Sequence, residues 1–127
     1  MSGYFSIIPI LFLWLAVQSV ATGQTIPENY DTPEKRCAII TDEMIKELPL
    51  QPGEVPVFRA LNLKYAKIAQ KEILDQEISW WSAYFKMKEI NQKKERELLP
   101  LLSDKQIENY ERMKADARQL LWEMFLD

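Results

Sequence analysis

The stretch VFRALNLKYAKIAQKEILDQEISWWSAYFKMKEINQKKERELL, residues 57–99, decides the fold class, because it contains neither glycine nor proline. In its first half Phe58, Leu61, Tyr65, Ile68 and Ala69 recur at spacings of three and four, the signature of one helix face. In its second half Trp81, Tyr84, Phe85, Met87, Ile90 and Leu98 form a broader apolar side, interrupted by the polar run Asn91 to Glu97. A single helix of this length could not bury its stripe against so small a chain. The sequence therefore predicts a helical hairpin with a turn near Asp75 to Ser79, where Ser79 can cap the second helix.

Working outward, Pro100 ends this region and Ser103 opens a last helix with a reciprocal capping box: Ser103 and Gln106 are spaced to exchange backbone and side-chain hydrogen bonds. Leu102 before the cap and Ile107 one turn in are placed as a hydrophobic staple. Tyr110, Met113, Ala117, Leu120, Leu121 and Met124 continue the apolar stripe, with Glu108 and Arg112 paired on the wet side. Upstream, Thr41 can cap a short helix whose apolar face is Met44, Ile45 and Leu48, and Pro49 stops it. No window alternates with strand periodicity, so the expectation is an all-α protein: a short N-terminal helix, a long helical hairpin and a C-terminal amphipathic helix.

At the other end, Tyr4 to Ala21 carries no charged residue and gives way to small residues at Ser19, Ala21, Thr22 and Gly23. This layout predicts a cleaved secretory signal peptide over residues 1–23. The competing reading is an uncleaved anchor, since an apolar run of about 18 residues can just span a bilayer. Residues 24–37, with Pro27 and Pro33 and no periodicity, read as a flexible tether, and residues 38–127 as one helical domain.

Composition removes several function classes. The 127 residues include no histidine, which excludes histidine-based acid–base catalysis, serine-type triads and histidine zinc sites. One cysteine, Cys37, builds neither a disulfide framework nor a thiolate cage; in an oxidising compartment it stays free or bridges two copies. The net charge of -3 lacks the basic footprint of a nucleic-acid binder. Asp42 with Glu43, and Glu95 with Glu97, read as surface charge rather than as a catalytic pair. Met44, Met87, Met113 and Met124 stand at helical spacing and read as core. The sequence thus points to no enzyme, no cofactor and no metal.

The segment Leu102-Ser103-Asp104-Lys105-Gln106, opening a long charged helix, resembles the LTxxQ motif of the Spy/CpxP family of small helical periplasmic proteins. A degraded first copy falls at Leu50-Gln51-Pro52-Gly53-Glu54, with Gln51 in place of the Thr cap and Glu54 in place of the Gln. The resemblance spans residues 41 to 118. It implies a dimeric, cradle-shaped periplasmic protein that holds unfolded or partly folded envelope proteins, or one that docks on an envelope stress sensor; a metal-responsive role is a further alternative. From the residues themselves, the adjacent Trp80 and Trp81 point about 100° apart on a helix, so a thin protein leaves one of them facing outward. Trp80, Trp81, Tyr84 and Phe85, with Lys64, Lys67 and Lys71 as a basic rim, are the candidate client or partner surface; their other reading is a hairpin core beside a solvated lysine face.

Export is directly testable. Intact-mass measurement of the envelope fraction should find the chain cleaved after Ala21 or Gly23, and a full-length membrane-embedded species would instead establish the anchor.

Overall fold

The computed structural model describes residues 30–126, with the side chains of Trp80 and of most positions beyond Asp116 outside the description. The expected signal peptide and the first residues of the expected tether lie outside the described residues. Among the described residues the chain is helical, with no strand: α1 (Pro33–Glu47), α2 (Val55–Ala69), α3 (Trp80–Leu98) and α4 (Asp104–Leu126). A π-helical turn, Gln70–Leu74, extends α2, and a 3₁₀ turn, Leu99–Leu101, follows α3.

The first helix starts at Pro33, eight residues before the expected cap at Thr41. Its cap is Thr32, in extended conformation, whose hydroxyl accepts from the Lys35 N–H at 3.1 Å. Pro33 is the helix start here and not a breaker. Proline at the first helical position sacrifices no hydrogen bond, and Glu34 in the first turn adds a favourable charge at the helix N-terminus. From Pro33 onward the expected tether is therefore helix. Thr41, instead of capping, is fully buried within α1, and its hydroxyl accepts from Asn62 Nδ2 at 3.0 Å.

Helix α2 begins at Val55, with Pro56 in its first turn and no side chain capping it. At its far end the ladder widens: the Asp75 N–H donates to the Gln70 carbonyl at 2.8 Å, five residues back. Residues 75–79 leave the helix, and Ser79 restarts it by accepting from the Ser82 N–H at 3.2 Å. Helices α2 and α3 then run antiparallel. Lys64 meets Glu97 at one end (2.9 Å), and Lys86 Nζ reaches the Glu72 carbonyl at the other (3.4 Å). Between these contacts Tyr65, Ala69 and Ile73 pack with Ala83, Met87 and Ile90. Alanines at 69 and 83 let the two backbones approach closely.

A second cluster gathers all four helices: Met44 and Leu48 of α1, Phe58 of α2, Leu98 of α3, and Tyr110 and Met113 of α4, joined by the loop residues Leu50 and Leu102. Helix α4 opens with the capping box in full: the Ser103 N–H donates to Gln106 Oε1 at 2.9 Å and the Gln106 N–H to Ser103 Oγ at 3.2 Å. Leu102 and Ile107 belong to the same apolar cluster. Tyr110 Oη donates to Glu95 Oε1 (3.1 Å) and Lys114 Nζ to the same oxygen (2.7 Å), tying α4 to α3. The side chains of Ala117, Leu120, Leu121 and Met124 lie outside the described residues.

Because Ser103 serves one orphan N–H of α4 and Gln106 returns the bond, Ser103→Ala should lower stability by about 0.5–2 kcal/mol and Ser103→Gly by only a few tenths. Urea midpoints measure both, and an unshifted midpoint for Ser103→Ala would remove the cap from the stability of the fold.

Candidate functional site

The outer face of α3 carries the most exposed aromatic surface among the described residues. Trp81 and Phe85 stand one turn apart, on the side of α3 opposite Ala83, Met87 and Ile90. Trp81 is 63% exposed and Phe85 59%. Their rings lie 6.3 Å apart and 27° from parallel. Half-buried Tyr84 meets both edge-on, at 6.4 Å from Trp81 and 5.3 Å from Phe85. The three rings form one cluster, an arrangement that favours aromatic neighbours beyond simple area burial. The side chain of Trp80 lies outside the described residues.

The lysines do not join this cluster as one patch. Lys64 is drawn to Glu97, with Nζ 2.9 and 3.0 Å from its two carboxylate oxygens and 5.2 Å from the centre of the Tyr65 ring. Hydrogen bonds from the Tyr65 phenol and from Lys64 hold the Glu97 carboxyl below the usual carboxylate range, and the same contact raises Lys64. Lys67 and Lys71 continue the stripe, exposed, along α2. The α3 residues that meet this edge, Lys86 and Glu97, sit about 100–120° around the helix from Phe85. The basic stripe therefore borders the α2–α3 seam, while the aromatics face away from α2.

The two motif-like segments meet. Gln106 Nε2 donates to Glu54 Oε2 at 3.3 Å across 52 residues of sequence, and Glu54 Oε1 accepts from the Gln51 N–H at 3.3 Å. Glu54 thus reaches back to Gln51 as Gln106 does to Ser103, although Gln51 gives no capping bond in return. Leu50 and Leu102, which precede these turns, are both buried in the four-helix cluster.

Polar side chains also enter the interior. Arg36 is buried, donating to the Tyr30 carbonyl at 2.7 Å and to Gln70 Oε1 at 2.5 Å. Cys37 is buried, its thiol donating to the Arg59 carbonyl at 3.3 Å. Glu43, expected on the surface, is buried instead, because α1 packs against both α2 and α4 and so has more than one covered side. Glu95 is likewise no free surface charge, being engaged by Tyr110 and Lys114, whereas Asp42 and Glu97 are exposed. Met44, Met87 and Met113 are core. Among the described residues no cluster of histidine, cysteine or carboxylate side chains could hold a metal ion, and no helix is long and apolar enough to cross a membrane.

Buried Asn62 and half-buried Lys94 are residues that the sequence reading does not single out. A signal exists: Asn62 follows Phe58 by four, and Lys94 follows Ile90 by four, so each occupies a core register with a polar side chain. Removal from water pushes the Lys94 amine down to about 8, against which Cys37 and Glu95 act weakly. No family model, curated protein or solved structure matches this chain.

The lowered Lys94 amine fixes the sign of a pH effect. Below pH 8 both the folded and the unfolded chain hold the proton, and the fold bears the whole cost of the buried charge. Between about 8 and the free-lysine value of 10.5 only the unfolded chain stays protonated, so stability rises with pH in that window. The gain is at most about 3 kcal/mol, since each tenfold change in proton affinity is worth about 1.4 kcal/mol. Lys94→Met should abolish it. Equal pH slopes for wild type and variant in urea melts between pH 7.5 and 10 would exclude a buried amine.

Proposed function

We propose that this chain is a helical binding protein of the bacterial envelope that holds unfolded or partly folded polypeptides on the Trp81–Tyr84–Phe85 face, working as a homodimer of helical hairpins. The observation that supports this reading is the double exposure of Trp81 and Phe85, at 63% and 59%, on a helix whose opposite face is already packed. A partner that covers either ring removes roughly 100–150 Å² of apolar surface, a gross gain of about 3 kcal/mol per ring. That is enough for transient holding and too little, for two rings, to make a permanent complex once ordering costs are met. The lysine seam lies to one side, where it steers acidic partners without sharing the aromatic contact. The resemblance of the Ser103 and Glu54 turns to the paired LTxxQ motifs of Spy/CpxP proteins agrees with this role, as does the exported N-terminus expected from the sequence.

Equimolar protein should delay aggregation of unrelated denatured proteins, followed by light scattering. Trp81→Ala should abolish the delay while leaving helical circular dichroism and the melting midpoint almost unchanged. Absence of any delay for several clients at several-fold excess would overturn the holding role and favour docking on a single envelope sensor.

A further inference from the structure

Where α1, α2 and α3 meet, a cavity of about 20 Å³ is lined by Ile40, Asn62, Ala66, Ala69, Ile90 and Lys94, among others. Its walls are mostly hydrocarbon, but Asn62, only 1% exposed, brings an unmet polar atom. Both amide hydrogens are committed to α1: Nδ2 donates to Thr41 Oγ1 at 3.0 Å and to Met44 Sδ at 3.2 Å. Met44 Sδ, which can only accept, sets the amide orientation. Oδ1 is left buried, with no protein group donating to it. A buried acceptor without a donor is costly, because it has given up its hydrogen bond to water and gained none. Lys94, half-buried, lines the same cavity from α3.

The geometry points to this cavity as a binding site for one small neutral hydroxylic molecule, a water, that donates to Asn62 Oδ1 and accepts from the Lys94 amine. The chemistry of the walls excludes the other small occupants. An anion would face the lone pairs of Oδ1, a cation would face the lysine, and an apolar gas would leave Oδ1 unsatisfied. A neutral molecule that both donates and accepts satisfies both walls. The volume accommodates one water, which needs roughly 10–15 Å³ of this kind of space and at least two polar partners. Asn91, exposed and also lining the cavity, gives such a molecule a route from solvent. The bound water completes a polar tie through the three helices, from Thr41 on α1 through Asn62 on α2 to Lys94 on α3.

The test uses the full chain with methyl-labelled alanine and isoleucine, and measures magnetisation transfer from water to methyl groups. Long-lived water should give cross-peaks to the Ala66, Ala69 and Ile90 methyls, and Lys94→Met, which removes one of its two partners, should weaken them several-fold. Absence of these cross-peaks in the wild type overturns the site. So does a saturable shift of the same methyls under xenon pressure, which marks a dry cavity. Cross-peaks of unchanged intensity in Lys94→Met overturn the site as drawn, because the water would then be held without the amine.

Discussion

The reversal between Leu74 and Trp80 is made without a glycine or a proline, and the packing of α2 on α3 depends on it. Four side chains carry it. Gln70 accepts from buried Arg36 of α1 and donates through Nε2 to Asp75 Oδ1 at 2.7 Å, so the last turn of α2 is anchored on both sides. The widened π turn lets the chain leave the helix after Leu74, and Ser79 restarts it. Arg36 is the costly member, since burial lowers its pKa and the charge must be matched by hydrogen bonds. Its placement on α1 explains why the first helix has to begin as early as Pro33: a helix starting at Thr41 would not contain Arg36 at all.

With the reversal in place, the apolar residues of α2 and α3 divide between two clusters. Tyr65, Ala69, Ile73, Ala83, Met87 and Ile90 join the two helices near the turn. Phe58 and Leu98, at their other ends, belong to the four-helix cluster. The Glu54–Gln106 bond lies at this second end and fixes the start of α2 against the start of α4. Each end of the α2–α3 pair therefore has its own polar clamp, Arg36–Gln70–Asp75 at one and Glu54–Gln106 at the other.

What can be read from the sequence follows the range of the forces involved. The capping box at Ser103, the Ser79 restart and the helical class are local or periodic, and they are legible because a cap needs only residues within one turn. The start of α1 is local too, yet it is easily missed, because Pro33 looks like a breaker although it stands in the first helical turn, where proline is tolerated. The burial of Glu43 and the engagement of Glu95 depend on which helix covers which face, which one helix's periodicity does not encode. Asn62 and Lys94 stand in core register, but a polar residue there looks like a wet position until the partner helices are placed. The lysine stripe is legible as one face of α2, yet its separation from the aromatics depends on how α3 is rotated against α2.

That rotation also explains how the aromatic cluster can stay exposed. The inner side of α3 presents Ala83, Met87 and Ile90, which pack with Tyr65, Ala69 and Ile73. A tryptophan or phenylalanine at position 83 would instead force the helices apart. With Ala83, Met87 and Ile90 turned inward, the bulky rings of Trp81 and Phe85 are left for the opposite face, where they stack on each other and against the edge of Tyr84. Neither ring belongs to the two buried clusters, so little of the stability of the fold rests on them. This division along α3, with Ala83, Met87 and Ile90 inward and Trp81 and Phe85 outward, separates residues that hold the helices together from the exposed aromatic surface.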